Sequence, residues 1–213
     1  PAMARRPNLL FIFTDQQRYD SLGCYGADWI RAPNLDRLAA ESSVFENAYV
    51  SQPVCTPARS TIMTGLYPHA TGLTLNAVPL HPDALTIAEM VDDDYVCGNY
   101  GKWGLGDDPV PQHGFEEWVS VQDSTRLQYS RPEYLDRYSD FHKYLTALGY
   151  EPDLELAGGR TFSAEFCAQL PAEHSMSTFL ADAVVRFIHS HRTPFLLFVS
   201  LIDPHPPGSQ TSS

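Results

Sequence analysis

The 213 residues carry a net charge of −12, from 14 basic and 26 acidic side chains, and 43% of them are hydrophobic. A nucleic-acid phosphate backbone has to be met by clustered Lys and Arg, whereas here the basic residues are dispersed and Arg5-Arg6 is the only adjacent pair, so nucleic acid is excluded as a partner. No apolar run approaches the ~18 residues of a membrane span, and blocks of Leu, Val, Ile and Phe argue against wholesale disorder.

In chain order, Asn8 to Thr14 is a near-continuous apolar run, which reads as a strand buried on both faces, as in a parallel sheet. It ends abruptly in Asp15-Gln16-Gln17-Arg18. Pro33-Asn34 opens a short helix with Leu35, Leu38 and Ala39 on one face. Val44 to Val50 is a candidate strand. Ala58 to Thr64 suits a helix stopped by Gly65. Thr86-Ile-Ala-Glu89 has the capping-box pattern and predicts a helix start. Tyr95 to Tyr100 reads as a short strand running into Gly101-Lys102-Trp103-Gly104.

Residues 107–175 are aromatic, acidic and irregular, and predict long loops with one or two helices. Phe179, Ala183, Val184, Phe187 and Ile188 then fall on one helical face. Phe195 to Ile202 is the strongest strand, ending in Asp203-Pro204-His205-Pro206-Pro207, before a polar, featureless stretch from Gly208 to Ser213. The alternation of strand and helix predicts an α/β fold around a mostly parallel sheet. Asp15, Lys102 and His205 each follow a predicted strand. Ligand groups in such sheets gather beyond the carboxyl ends of the strands, so these three are expected to converge.

The four cysteines are spaced for neither a zinc site nor a small disulfide scaffold. Cys24, Cys97 and Cys167 read as buried or half-buried thiols. Cys55 is different, because Pro57 suits the first turn of a helix and would place it at the helix N-terminus. Backbone N–H groups and the helix dipole favour an anion there, and Arg59 adds a planar fork for a tetrahedral oxyanion. His69 reads as structural and His113 as a packing residue. Gly101-x-x-Gly104-x-Gly106 lacks a following helix and the Walker pattern, which argues against a nucleotide loop.

Cys55-x-Pro57-x-Arg59 resembles the signature of type I, formylglycine-dependent sulfatases. The chain also carries Thr14-Asp15-Gln16, Gly23-Cys24-Tyr25-Gly26, Ala32-Pro33-Asn34-Leu35-Asp36-Arg37-Leu38, Thr64-Gly65-Leu66-Tyr67-Pro68-His69, Gly101-Lys102-Trp103, His113-Gly114-Phe115 and Asp203-Pro204-His205-Pro206. In order and spacing these are similar to the N-terminal region of that family, across most of the chain. The resemblance implies an alkaline-phosphatase-like α/β fold. It implies that residues 1–213 form the N-terminal portion of a sulfatase catalytic domain, with 107–175 as a loop-rich insertion and the C-terminal portion absent.

By the same resemblance, Cys55 is the precursor of formylglycine, made by a formylglycine-generating enzyme that reads Pro57 and Arg59. Hydrated formylglycine is a geminal diol. One hydroxyl attacks sulfur and the alcohol leaves; the other expels sulfate as the aldehyde re-forms. Asp15 and Gln16, with the group at Cys55, would bind one divalent cation, Ca²⁺ or Mg²⁺. Arg59 would hold the formylglycine and metal together, Lys102 would contact sulfate, and His205 would contact sulfate and protonate the leaving oxygen.

Gly104 stands where the family usually has His, and Gln16 where a second Asp is common. In the family a later segment adds two more metal ligands and another Lys. The substrate implied is a small-molecule or carbohydrate sulfate ester. Alternatives that stay open are a non-catalytic sulfatase-like remnant and a phosphonate or phosphodiester hydrolase of the same superfamily. No secretory leader is visible; a chain truly starting at Pro1 would be cytoplasmic, but Pro-Ala-Met-Ala leaves an earlier start open.

Overall fold

The computed structural model describes residues 6–206; Arg5 of the basic pair and the stretch from Pro207 to Ser213 lie outside the described residues. Its centre is the strand richest in apolar residues, Phe195–Leu201 (β6), buried along almost its whole length. Leu9–Thr14 (β1) and Val96–Gly101 (β2) flank it, and Glu117–Val119 (β3) extends the sheet beyond β2, in the order β1-β6-β2-β3. All pairings in this sheet are parallel, with Thr14 opposite Leu201 and Gly101 opposite Ser200. The expectation of a parallel α/β sheet therefore holds, and three strands end together on one edge.

Side chains alternate across a strand, and β6 feeds two cores. Phe195, Leu197 and Val199 pack with Tyr100, Leu180 and Phe187 on one face. Leu196 and Phe198 pack with Met63, Trp103 and Phe115 on the other. The first face is closed by Met176–Ser190 (α7), started by the Ser175 side chain accepting from the Thr178 N–H. Phe187 meets both Tyr100 and Phe195 edge-to-face.

The remaining helices are Pro33–Ala40 (α1), Cys55–Thr64 (α2), Pro68–Thr71 (α3), Ile87–Met90 (α4), Asp140–Ala147 (α5) and Ala164–Cys167 (α6). α2 stops at Gly65, whose left-handed φ of 71° closes the helix as expected. The capping box at Thr86 and Glu89 is formed, on a helix of a single turn.

Four expectations need correction. β1 is not buried on both faces. Among the described residues it is an edge strand paired only with β6, and Leu9, Leu10, Phe11 and Ile12 are exposed. Val44–Val50 is not a strand: it has no ladder partner among the described residues, without which an extended segment cannot satisfy its backbone. Cys24 is exposed, because residues 16–54 are barely covered by the rest of the chain. Finally, residues 107–175 are more ordered than expected. Beside α5 and α6 they hold β3, a strand of the main sheet, and a hairpin of Leu154–Leu156 (β4) and Gly159–Thr161 (β5).

Candidate active site

The site lies where β1, β2 and β6 end. Asp15, one residue past β1, is 5% exposed. Its Oδ2 receives the Lys102 ammonium at 2.5 Å and stands 3.6 Å from Arg59 Nη2. Its Oδ1 lies 4.0 Å from Cys55 Sγ. Cys55 is the first residue of α2, where Pro57 has no N–H and the Thr56 and Ala58 N–H groups are taken by Asn76 Oδ1 and the Val54 carbonyl. His205 enters from the turn after β6, its N–H donating to the Ile202 carbonyl. One ligand atom each from Asp15, Cys55 and His205 lies within 4.8 Å of the others. The expected convergence of Asp15, Lys102 and His205 is thus present, with Cys55 and Arg59 beside Asp15.

Arg59 is the keystone of this arrangement, at 1% exposure. Its Nη1 donates to the Lys102 carbonyl at 2.9 Å and to Ser200 Oγ at 2.8 Å, which ties α2 to the ends of β2 and β6. Its guanidinium carbon sits 5.1 Å above the centre of the Phe13 ring. Burial pulls the Arg59 pKa down, opposed by the negative charge of Asp15 and by Cys55 and Asp108. The i+4 spacing from Cys55 puts Arg59 one helical turn below the candidate nucleophile, on the same side.

Gln16 lines the same cleft, exposed, with a left-handed φ of 58°. The cleft is open, of about 1040 Å³, and includes Asn76 and Tyr49. The His113 ring packs against Trp103, the packing part expected of it, while His69 stacks on Tyr67 at the surface, where both of these rings are exposed.

Gly104 has φ +69°, and a Cβ built there would stand 3.2 Å from Arg59 Cδ. A larger residue at 104 would meet both a strained backbone and the buried arginine, so this glycine fits the way Arg59 is seated here.

Three contributors were not singled out in the sequence. Asn76 Oδ1 accepts the Thr56 N–H at 3.0 Å, satisfying a free donor of α2. Ser200 anchors Arg59. Asp108 is 2% exposed, accepts the Gly104 N–H at 3.4 Å and pairs with the Thr125 hydroxyl. Burial raises its pKa, opposed first by the bond from Thr125. Only the place of Ser200 at the end of β6 carried any signal; Asn76 and Asp108 lie in loops with no local pattern.

The sulfatase family profile matches residues 7–212. The chain belongs to the sulfatase family. It is 31% identical over 152 residues to an N-acetylglucosamine-6-O-sulfatase of Bacteroides thetaiotaomicron, spanning 70% of this chain and 26% of that protein. It is 36% identical to human arylsulfatase A over 134 residues, 56% of this chain and 26% of the relative. Among solved structures, the phosphonate monoester hydrolase SpPMH of Silicibacter pomeroyi superposes with a TM-score of 0.70 at 25% identity, covering 95% of this chain and 42% of that one. Ps i-CgsB in complex with k-i-k-neocarrahexaose gives a TM-score of 0.63 at 27% identity, over 95% and 46%. The chain therefore spans about a quarter of the length of the two sequence relatives and under half of the two solved structures. No helix among the described residues is long and apolar enough to cross a membrane.

Proposed function

We propose that this chain supplies the nucleophile half of a sulfate-ester hydrolase site, with formylglycine made from Cys55 as the attacking group. The observation that carries this reading is the meeting of Asp15, Cys55 and His205 atoms within 4.8 Å beside Lys102. A tetrahedral sulfuryl group placed beside Cys55 would face the Lys102 ammonium and the His205 ring. These are donors suited to the charge that develops during transfer.

His205, which lines the cleft, would give a proton to the departing alcohol oxygen. Arg59 fixes the distance between α2 and the strand ends and does not depend on solvent to do so. A formylglycine-generating enzyme is the partner this requires.

The donor set also fits part of a hard-cation site. Asp15 supplies a carboxylate oxygen, Gln16 an amide oxygen, and the hydrated aldehyde at 55 an oxygen where the unmodified thiol would be too soft for Ca²⁺ or Mg²⁺. Such a cation would polarise the attacking and transferred oxygens. Against it stand Lys102 and Arg59, already paired with the single carboxylate of Asp15. Two cationic side chains beside one anion leave little net attraction for a third cation, so these residues alone hold it weakly.

Two tests follow. Co-produced with the modifying enzyme, the peptide spanning Cys55 is expected to lose about 18 Da on conversion of thiol to aldehyde; an unmodified peptide would remove the nucleophile. The purified 213-residue chain with Ca²⁺ or Mg²⁺ is expected to turn over nitrophenyl sulfate no faster than its Cys55→Ala variant. Robust Cys55-dependent turnover would show that Asp15 and Gln16 suffice for the cation. Phosphonate esters belong in the same assay, since SpPMH shares this fold and the same anion geometry serves both.

A further inference from the structure

The trio of Asp15, Cys55 and His205 combines a carboxylate, a thiol and an imidazole, with one ligand atom of each within 4.8 Å of the others. We propose that the chain with Cys55 still a thiol holds a borderline-soft divalent ion of the Zn²⁺ class. The ligands are Cys55 Sγ, His205 Nε2 and Asp15 Oδ1. This site differs from the hard-cation site above in its ion, in using His205 in place of Gln16, and in belonging to the unmodified chain. It needs the thiol and does not rest on the sulfatase reading.

Donor chemistry separates the two kinds of ion. Ca²⁺ and Mg²⁺ take oxygen ligands, so the sulfur of Cys55 and the nitrogen of His205 offer them little. Zn²⁺ binds thiolate, imidazole and carboxylate together. On binding, the S–H bond breaks, its proton goes to solvent and the sulfur lone pair forms the metal bond.

The distances are near those required. Tetrahedral ligands at about 2.0–2.3 Å from zinc stand about 3.4–3.6 Å from one another. Cys55 Sγ and Asp15 Oδ1 are 4.0 Å apart, and no pair of the three exceeds 4.8 Å. Closing on an ion thus takes movements of about 1 Å. Asp15 is held at the end of β1 and Cys55 on the first turn of α2, so His205, half-buried in the turn after β6, makes most of the move.

The His205 ring is set for this. Its Nδ1 lies 2.7 Å from the Pro206 carbonyl oxygen. A carbonyl only accepts, so Nδ1 carries the proton and Nε2 keeps its lone pair. Metal-binding histidines are commonly fixed in this way, by a backbone carbonyl on the other ring nitrogen.

Charge favours the thiolate form. Lys102 and Arg59 both approach Asp15 Oδ2, which leaves Oδ1 turned towards Cys55. Against those two cations Asp15 brings one negative charge. A thiolate brings a second, which the hydrated aldehyde lacks. The open cleft of about 1040 Å³ reaches both Cys55 and His205, so water takes the fourth position.

The test uses the 213-residue chain made without a modifying enzyme and carrying Cys24→Ser, so that no exposed thiol competes. Co²⁺ is expected to bind one per chain, with a near-ultraviolet thiolate-to-metal band and the visible bands of a tetrahedral ion. Zn²⁺ should displace it, whereas Ca²⁺ and Mg²⁺ in about hundredfold excess should not. Cys55→Ser should abolish the near-ultraviolet band, and His205→Ala should weaken Co²⁺ at least about tenfold. Zn²⁺ should also slow iodoacetamide labelling of Cys55 at least about tenfold.

Absence of the thiolate band, a band that survives Cys55→Ser, or unweakened binding in His205→Ala overturns the site. Should either variant fold poorly by circular dichroism, X-ray absorption at the zinc edge of the Cys24→Ser chain decides. One sulfur among nitrogen and oxygen neighbours upholds the site, and no sulfur overturns it. Failure of Cys55 to convert to formylglycine would count against the sulfatase reading and leave this site standing.

Discussion

Phe45, Leu38 and Val50 are as apolar as Phe187, Leu180 and Val199, yet the first three are exposed and the second three are buried. The contrast divides the molecule. Residues 96–201 supply β2, β3, β6 and α7, which pack on each other and fill two cores. Between Asp15 and Thr56, Ala27 is the only buried residue, itself 9% exposed, and α1 there shows an apolar face to solvent. β1 behaves like the packed region along its inner edge, through its ladder to β6, and like the open region elsewhere. An apolar pattern thus produces an element without ensuring that the element is covered. The candidate active-site cleft lies along the seam, with Tyr49 and Val50 from the open side and Arg59 and Asp15 from the packed side.

Thiol labelling breaks this comparison most directly. Cys24 sits in the open region, exposed. Cys97 is buried in the sheet, which raises its thiol pKa, and burial pushes the Cys167 thiol to about 12. The thiolate is the reacting form. At pH 8, Cys24 is expected to react with iodoacetamide at least about a hundredfold faster than Cys167. Equal rates would mean that the packed region opens as freely as the other.

The Cys167 shift also carries a sign for stability. The folded pKa is raised, so the neutral thiol contributes fully below the unfolded value of about 8.5 and that contribution is lost as pH rises through about 12. Cys167→Ala is expected to flatten this alkaline loss in urea melts.

A pair of truncations comes next. Phe187→Ala removes a ring that touches Tyr100 and Phe195 and should cost about 3–5 kcal/mol in urea unfolding. Phe45→Ala, in a side chain 73% exposed, should stay within about 0.5 kcal/mol. A large loss at Phe45 would show that residues 16–54 pack in solution against something in this chain.

The smallest expected effect is at β1. Ile12→Lys, at a position 59% exposed, should change unfolding by less than about 1 kcal/mol while reducing self-association seen by light scattering. Unchanged association would place the sticky surface elsewhere.

Local signals reached far in this protein because they are short-range physics. The stop of α2 at Gly65, the capping box of Thr86 and the helical stripe of α7 all arise within one or two turns of chain, and all are present. The strands were legible from apolar runs, and the site residues from their place just past strand ends and from the family motifs. β3 was not legible, since three residues inside an irregular stretch give no periodicity; its strand character comes from the ladder with β2.

What the sequence alone determined, then, is where β1, β2, β6, α2 and α7 form and that Asp15, Cys55, Lys102 and His205 lie at the ends of elements. Only the tertiary structure decided that Asp15 is shared by Lys102 and Arg59, that Ser200 receives Arg59 across 141 residues of chain, and that Gly104 leaves room for that arginine. It also decided that the apolar face of β1 is uncovered. Burial and ion pairing are properties of neighbours in space, and spacing along a chain fixes such neighbours only within a helix turn or a hairpin.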